Sequence, residues 1–383
     1  MCPVSRSCSV PPTASSSRRC SGESWPSSSW TARRRRRGRS SGSRSIAPSC
    51  SRRTRQRAFW YEPTMSAADR DVPRKPRRLR EGDTVAIVAP ASSWESRSEL
   101  LRGVASLEAW GLRVRLGDHV NDRHGYMAGR DADRAADLHA ALADPEVRAI
   151  VCLRGGYGTP RLIPLLEETL FAANPKAICG YSDLTTLHLA SQRWGNVISF
   201  YANGATGVGA SDVTDFSKAS LKRALFSAEP YGPIGPDPDD PYVRTLVGGR
   251  VTGRLTGGCA GLLSSAIGTR LQPDFRGRIV ILEEIENEGY IHDGILTQLR
   301  NAGLFDGALG IVVGDIKGKW SGGIAELSAE DIVEEVLAPL GLPLIFGLPI
   351  GHSKHHATVP LGALATLDAD AGTLVVEEVV TAD

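Results

Sequence analysis

The chain has 383 residues, of which 41% are hydrophobic and 23% are charged, an ordinary composition for a globular protein long enough for two domains. Its net charge of +2 is unevenly distributed, because residues 1–64 hold fourteen Arg and two acidic residues, a balance of +12, which leaves −10 for the rest. The acidic body argues against nucleic acid as a partner, and the absence of any apolar run of about 18 residues argues against a transmembrane helix.

Residues 1–64 are rich in Ser, Arg and Pro and lack apolar periodicity, so we predict a disordered tail. Five consecutive Arg at 33–37 leave open a contact with nucleic acid or an anionic membrane. A transit peptide also stays open, whereas the lack of an apolar core argues against a signal peptide. We favour Met65 as the natural start, with the tail as translated upstream sequence.

Residues 78–205 alternate short apolar runs with amphipathic segments. Alternating strands and helices indicate a doubly wound, mostly parallel sheet with helices on both faces, similar to a flavodoxin or Rossmann fold. The predicted strands are 84–90, 112–116, 148–153 and 176–179, and the predicted helices are 93–110, 131–143, 160–171 and 183–194.

Residues 206–247 are dense in Pro, Gly and Asp and predict an irregular connection. Residues 248–380 then predict a second, smaller α/β domain. Its predicted strands are 250–255, 278–282, 308–313, 343–346 and 373–379, and its predicted helices are 291–302 and 328–340. Three separate Cys in this body, at 152, 179 and 259, show no metal-binding spacing and predict buried thiols in a reducing compartment, the cytoplasm.

The segment Gly180-Tyr181-Ser182-Asp183 follows a predicted strand and opens a predicted helix. Such a turn places a serine hydroxyl at the carboxyl end of the sheet, and the Asp183 N–H at a helix N-terminus can donate to an oxyanion. The pattern therefore predicts a nucleophile. The alternative is that Ser182 only caps the helix.

The glycine-rich segment Arg154-Gly155-Gly156-Tyr157-Gly158 ends the preceding strand. Its backbone N–H groups could hold a phosphate, could supply a second oxyanion donor beside Ser182, or could simply form a tight turn. The spacing fits neither a dinucleotide nor a P-loop motif, and we predict no cofactor.

Two consecutive acids, Glu283 and Glu284, end the apolar run IVILEE. An acid there needs a partner, and Glu283 is suited to orient a histidine while Glu284 points to the opposite face. An exposed strand end is the alternative. His352, in a loop rich in Gly and Pro, is suited to act as a general base.

His355 and His356 follow closely, and we expect both to be exposed to solvent. The run HSKHH could suggest a metal site. However, His352 and His356 would share a face only in a helix, which the Gly and Pro residues disfavour. We therefore predict no metal.

Six segments, in order and spanning nearly all of 82–380, resemble the LD-carboxypeptidase family of serine peptidases, which includes murein tetrapeptide carboxypeptidases and microcin C immunity peptidases. The segments are GDTVAIVAPAS, RAADLHAALADPEVRAIVCLRGGYGTPRLIPLL, NPKAICGYSDLTTLHLA, GRLTGGCAGLLSSAIGT, GRIVILEEIENEGYIHDGILTQLRNAGLF and LPIGHSKHHATVPLGALATLDA.

The resemblance implies a nucleophile on the first domain, its helpers on the second, and an active site in the cleft between them. It also implies a homodimer without a metal. The implied roles are nucleophile for Ser182, general base for His352, orienting acid for Glu283, and backbone oxyanion donors at Asp183 and at Gly155 or Gly156.

Two departures from the family concern substrate choice. The stretch 200–204 reads FYANG in place of an aromatic–His/Gly–Gly–Pro pattern, and 287–289 lacks the usual Pro or Ala before Tyr290. We expect Arg154, Tyr157 and Tyr201 to contact the substrate, with Arg154 suited to a terminal carboxylate.

The implied reaction is hydrolysis of the bond before the C-terminal D-Ala of a murein tetrapeptide. Conjugates of peptides or amino acids with nucleotides are the alternative substrates. A catalytically silent peptide-binding protein is a further alternative, against which the intact Ser, Glu and His argue.

Overall fold

The structure, a computed structural model, describes residues 72–318 and 327–383. The predicted disordered tail and Met65 lie outside the described residues. Within the described ranges, no helix is both long enough and apolar enough to span a bilayer.

The described strands are β1 (Thr84–Val88), β2 (Arg113–Leu116), β3 (Val147–Cys152), β4 (Ala177–Gly180), β5 (Ser199–Tyr201), β6 (Gly232–Pro233), β7 (Arg244–Val247), β8 (Arg250–Cys259), β9 (Arg278–Asn287), β10 (Gly310–Gly318), β11 (Leu344–Phe346), β12 (Val359–Leu361), β13 (Leu364–Asp368) and β14 (Thr373–Val376). The described α-helices are α1 (Arg97–Glu108), α2 (Asp131–Ala143), α3 (Glu168–Ala173), α4 (Thr185–Ala190), α5 (Ala205–Val208), α6 (Asp215–Phe226), α7 (Ala260–Ser265), α8 (Gly289–Asn301) and α9 (Ala329–Leu337).

The first sheet has six strands in the order β12-β5-β4-β3-β1-β2. Strands β1 to β5 run parallel, and β12 pairs antiparallel with β5. Every residue of β1 and β4 is buried, as expected for strands covered on both faces. The predicted parallel α/β sheet is confirmed.

The second sheet has eight strands in the order β6-β14-β13-β8-β9-β10-β11-β7. Its central strands β8 to β11 are parallel, and antiparallel strands flank them. The second α/β unit is therefore present. One apolar cluster contains Val85 and Ile87 of the first sheet together with Ile279 and Ile281 of the second, so the two sheets share a core.

Two predicted elements are wrong. Residues 160–171 do not form one helix, since a 3₁₀ turn at Thr159–Leu162 is separated from α3. Pro164 lies between them, and proline lacks the N–H that a helix interior requires.

The predicted irregular connection at 206–247 contains α6. The Thr214 hydroxyl caps this helix by accepting from the Ser217 N–H at 3.2 Å, and Leu221 and Leu225 face the core. The Pro- and Gly-rich composition is concentrated after this helix and hid its periodicity.

The three cysteines of the body, Cys152, Cys179 and Cys259, are buried and unpaired, as predicted. Burial raises the pKa of the Cys179 thiol to about 12, so it stays protonated. Cys152 and Cys179 belong to the apolar clusters and pack as small apolar groups.

Candidate active site

Ser182 lies on a sharp turn between β4 and the helical run that contains α4. Its φ of +62° is in the left-handed region, which a residue with a side chain adopts at a cost of about 1–3 kcal/mol. Strain of this kind persists where the surrounding structure fixes the residue. A serine in this conformation, on a sharp turn from a strand to a helix, is typical of a nucleophile elbow. The turn predicted from the sequence is present.

The glycine turn at 155–156 lies directly against Ser182. A Cβ placed on Gly155 would be 3.3 Å from Ser182 Oγ, and one on Gly156 would be 2.4 Å from Ser92 Oγ. Ser92 holds the turn, since its N–H donates to the Gly155 carbonyl at 3.3 Å and its Oγ accepts from the Tyr157 N–H at 3.1 Å. The sequence did not single out Ser92.

Asp183 follows Ser182 in the first turn of the helical run, where N–H groups lack intrahelical acceptors. Its side chain is fully buried, and its Oδ2 accepts from the Thr159 N–H at 2.8 Å. Burial raises the pKa of Asp183 to about 6. The carboxyl group therefore ties the turn to the neighbouring segment, while the N–H lies at the helix N-terminus.

His352 and Glu283 form a hydrogen-bonded pair, with 2.7 Å between His352 Nδ1 and Glu283 Oε2. Glu283 is fully buried in the interior of β9, which corrects the expectation that it ends the strand. An imidazole that donates Nδ1–H to a carboxylate keeps a lone pair on Nε2 for accepting a proton. The His352 ring lies 4.9 Å from the ring of Tyr181, the residue that precedes Ser182.

Glu284 points to the other face of β9, as predicted. Its Oε2 accepts from the Gly261 N–H at 2.5 Å and lies 3.5 Å from the Cys259 sulfur. Burial raises the pKa of Glu284. This carboxyl group holds the start of α7 and takes no part in the His352 pair.

Tyr201 does not line a substrate pocket, which corrects the sequence-based expectation. It is fully buried, and its hydroxyl donates to Glu283 Oε1 at 2.5 Å and accepts from the Ser182 N–H at 2.9 Å. Parallel pairing of β4 with β5 places Tyr201 beside Gly180. Nothing in the local sequence FYANG shows whether the Tyr201 ring is buried below the site or exposed on its surface.

The expectation that His355 and His356 are exposed is wrong, because 7% and 3% of their surfaces are accessible. The unpredicted helix α6 covers them: Thr214, its N-cap, lies 3.1 Å from His355 Nδ1, and Ser217 Oγ accepts from the His356 N–H at 2.8 Å. Burial lowers the pKa of His356 to about 3, so its ring is neutral near pH 7.

Of the remaining predicted contacts, Arg154 is partly exposed and ion-paired with Glu95. Tyr157 is 46% exposed, and its ring meets that of Tyr126 edge-on at 5.7 Å. The sequence did not identify Lys317, whose half-exposed ammonium donates to the His352 carbonyl at 2.7 Å. Arg154 and Lys317 thus place two cations near the residues of the site.

The site thus contains a serine on a strained turn, an imidazole oriented by a carboxylate, and N–H groups at a helix start. Such a set suits acyl transfer, in which a hydroxyl attacks a carbonyl and the N–H groups stabilise the oxyanion. Nothing in this chemistry requires a metal ion or an organic cofactor.

Comparison with protein families gives two matches. Residues 85–202 match the LD-carboxypeptidase N-terminal domain, and residues 252–367 match the LD-carboxypeptidase C-terminal domain. The two matches contain Ser182, Glu283 and His352.

Individual relatives agree with these matches. A probable murein peptide carboxypeptidase of Bacillus subtilis (strain 168) is 36% identical over 310 residues, which cover 79% of this chain and 94% of that protein. The murein tetrapeptide carboxypeptidase of Pseudomonas aeruginosa is 33% identical over 292 residues, covering 75% of this chain and 93% of that protein.

Solved structures share the fold. A muramoyltetrapeptide carboxypeptidase from Oxalobacter formigenes superposes with a TM-score of 0.67 at 27% identity, over 78% of this chain and all of that one. MccF in complex with glutamyl sulfamoyl guanosine superposes with a TM-score of 0.74 at 21% identity, over 81% of this chain and all of that one.

Proposed function

The chain belongs to the LD-carboxypeptidase family, and from that membership we propose that it is a serine carboxypeptidase that removes the C-terminal D-Ala from murein tetrapeptides. The support comes from relatives with murein peptides in their names and from the site described above. Membership of this family makes the chain a carboxypeptidase-type hydrolase. The catalytic roles and the substrate are the proposal.

One set of hydrogen bonds carries the proposal. His352 binds Glu283, Glu283 binds the Tyr201 hydroxyl, and this hydroxyl binds the backbone of Ser182. These bonds link His352 and Glu283, through Tyr201, to the backbone of Ser182, whose φ of +62° is the strained conformation expected of a nucleophile on such a turn.

In the proposed reaction, His352 Nε2 takes the hydroxyl proton of Ser182 as Oγ attacks the scissile carbonyl. The Asp183 N–H and an N–H of the Gly155–Gly156 turn stabilise the oxyanion. His352 then gives the proton to the amine of the leaving D-Ala, and the C–N bond breaks to leave an ester on Ser182. Water, deprotonated by the same imidazole, hydrolyses this ester and restores the serine. Glu283 holds the imidazole and stabilises its cation.

A carboxypeptidase must also hold the free carboxylate of its substrate. Arg154 follows β3 on the same turn as Gly155, and its guanidinium can bind a carboxylate with two hydrogen bonds. Its partner Glu95 has a 77% exposed side chain, so a substrate carboxylate could replace it at small cost.

The test measures, by mass spectrometry, the release of D-Ala from the murein tetrapeptide by the full-length chain. We expect release by the parent and a loss of about 10⁴-fold or more in Ser182→Ala. The matched control is Ser191→Ala, because Ser191 is a buried serine of the same helical run and should be dispensable. Equal turnover in Ser182→Ala and the parent would overturn the proposal.

The same variants distinguish the alternative substrate class. A glutamyl or aspartyl sulfamoyl nucleoside replaces the tetrapeptide, and release of the free amino acid is measured. Turnover of this compound alone, dependent on Ser182, would retain the serine mechanism and reject the murein substrate.

We further propose, from the family, that the enzyme works in the cytoplasm as a homodimer. Sedimentation of the full-length chain at micromolar concentration would give twice the 40.9 kDa mass of one chain. A single species of monomer mass would reject the dimer.

A further inference from the structure

The Tyr201 hydroxyl joins the two halves of the site through two hydrogen bonds. We propose that Tyr201 is a positioning residue, which fixes the Glu283 carboxylate and the Ser182 backbone relative to each other. The inference rests on the proposed serine mechanism and deepens it. Because Tyr201 is fully buried, its proposed role does not involve contact with the substrate.

The first consequence concerns the orientation of Glu283. Its Oε1 accepts from the Tyr201 hydroxyl at 2.5 Å, while its Oε2 accepts from His352 Nδ1 at 2.7 Å. Each oxygen is held by a different side chain, so the carboxylate cannot rotate without losing a charge-assisted hydrogen bond. Removing the hydroxyl would leave Oε1 buried without this donor.

The second consequence concerns the backbone of Ser182. Its N–H donates to the Tyr201 hydroxyl at 2.9 Å, and its carbonyl accepts from Thr185 Oγ1 at 2.7 Å. Both backbone polar groups of Ser182, the N–H and the carbonyl, are thereby fixed. Because the Ser182 N–H is already used, the oxyanion donors are left to Asp183 and to the glycine turn.

The third consequence is electrostatic. Burial and the nearby Glu283 carboxylate both raise the pKa of Tyr201 well above its usual value, so the phenol keeps its proton and remains a donor. A hydroxyl that donates to an anion is also a better acceptor, which strengthens its bond with the Ser182 N–H. The negative charge of Glu283 thus polarises the hydroxyl that accepts from the Ser182 N–H.

Apart from Glu283, the titratable groups that surround the phenol stay neutral near pH 7. Burial lowers the pKa of His188 to about 4 and that of His356 to about 3, and it raises the pKa of Tyr181 to about 12 and that of the Cys259 thiol. Near His352, burial raises the pKa of Asp315, and Lys317 donates to the His352 carbonyl. The Tyr201 hydroxyl itself binds Glu283 and the Ser182 N–H, so a pH effect caused by its loss should come from the Glu283–His352 pair.

The experiment compares Tyr201→Phe with Tyr231→Phe in the full-length chain. Tyr231 is a matched control, because its buried hydroxyl also has two partners, Ser220 Oγ at 2.9 Å and the Thr358 carbonyl at 2.7 Å. Each substitution keeps the ring and removes one hydroxyl. The kcat and KM for D-Ala release are measured as a function of pH, together with the Tm.

We expect Tyr201→Phe to lower kcat by about 10- to 100-fold with KM changed by less than about 3-fold, because a hydrogen bond to a charged group is lost. The acid limb of its kcat/KM profile should move to higher pH, since the carboxylate, no longer sharing its charge with the phenol, stabilises protonated His352 more strongly. Tyr231→Phe should lose similar stability and keep both the kcat and the profile of the parent.

A kcat loss no larger than that of Tyr231→Phe, or a loss without movement of the acid limb, would overturn the positioning role. Labelling of Ser182 by a fluorophosphonate, followed by intact mass, tests the same point without a peptide. We expect labelling of Tyr201→Phe to be at least about 10-fold slower than that of the parent. Equal rates would reject the positioning role alone, whereas a parent with neither labelling nor turnover would reject the serine mechanism and this inference with it.

Discussion

Glu283 and Glu284 are consecutive residues of β9, and their carboxylates serve different parts of the protein. Glu283 binds His352 and Tyr201, whereas Glu284 binds the N–H of Gly261. Side chains alternate between the faces of a strand, so a step of one residue separates the proposed catalytic acid from a structural one. The two acids are buried to a similar degree, and each is the natural control for the other.

We predict that Glu283→Gln lowers kcat by about 10³- to 10⁴-fold, because an amide in place of the carboxylate can no longer hold the imidazole in the required tautomer or stabilise its cation. Glu284→Gln should keep kcat within about 3-fold of the parent, since burial already favours the neutral form of Glu284. Steady-state D-Ala release measures both. Equal losses in the two variants would mean that burial, rather than pairing with His352, sets the effect.

Asp183 predicts a pH dependence of stability. Burial raises its pKa from 3.8 to about 6, so the folded protein holds this proton at pH values where the unfolded chain has released it. The stabilising contribution is therefore present below about pH 4 and is lost as the pH rises to about 6. Relative to the parent, Asp183→Asn should gain about 2–3 kcal/mol in unfolding free energy between pH 4 and pH 7.

Urea unfolding of the parent and of Asp183→Asn at pH 4, 5, 6 and 7 measures this difference. Asparagine keeps an acceptor for the Thr159 N–H, so the comparison isolates the charge. A difference between the two proteins that stays constant across this range would contradict the prediction.

Arg154 is tested with two substrates, the tetrapeptide acid and its C-terminal amide. If Arg154 binds the carboxylate, Arg154→Ala should lower kcat/KM for the acid by about 10- to 100-fold and leave the value for the amide unchanged. Arg276→Ala is the control, because Arg276 is exposed and pairs with Asp274 on another segment. If the preference for the acid survives in Arg154→Ala and is lost in Lys317→Met, the carboxylate is bound by Lys317.

Much of the first sheet was predictable because its signals are local. The apolar runs of β1, β3 and β4 are bounded by Gly or Pro, and α2 carries the apolar spacing of a helix over the predicted residues. The three-residue strands β5 and β12 were missed. Strand β5 pairs with β4 on one side and with β12 on the other, and such pairing leaves little trace in a sequence of three residues.

The residues of the candidate site also divide into those that a local sequence pattern predicts and those that only tertiary packing brings to the site. Ser182, Glu283 and His352 each carry a local signal: a glycine before a helix, an acid in an apolar strand, and a histidine in a loop. Tyr201 meets Glu283 across 82 positions of sequence, and His356 is covered by a helix hidden within a Pro-rich region. Burial of this kind is decided by tertiary packing, which composition and periodicity do not encode.

Gly351 precedes His352 and should be intolerant of any side chain. Its φ is +111°, and a Cβ there would lie 2.5 Å from Glu283 Oε2, the oxygen that binds His352. Gly351→Ala should therefore displace the carboxylate and lower kcat by at least about 10-fold, in addition to a strain of about 1–3 kcal/mol. Gly268→Ala is the matched control, because its φ is +77° and a Cβ there would meet no atom within 4 Å. Both variants should lose stability in urea, and Gly351→Ala alone should lose turnover. If Gly351→Ala kept the kcat of the parent, turnover would not depend on the position of the Glu283 carboxylate relative to His352.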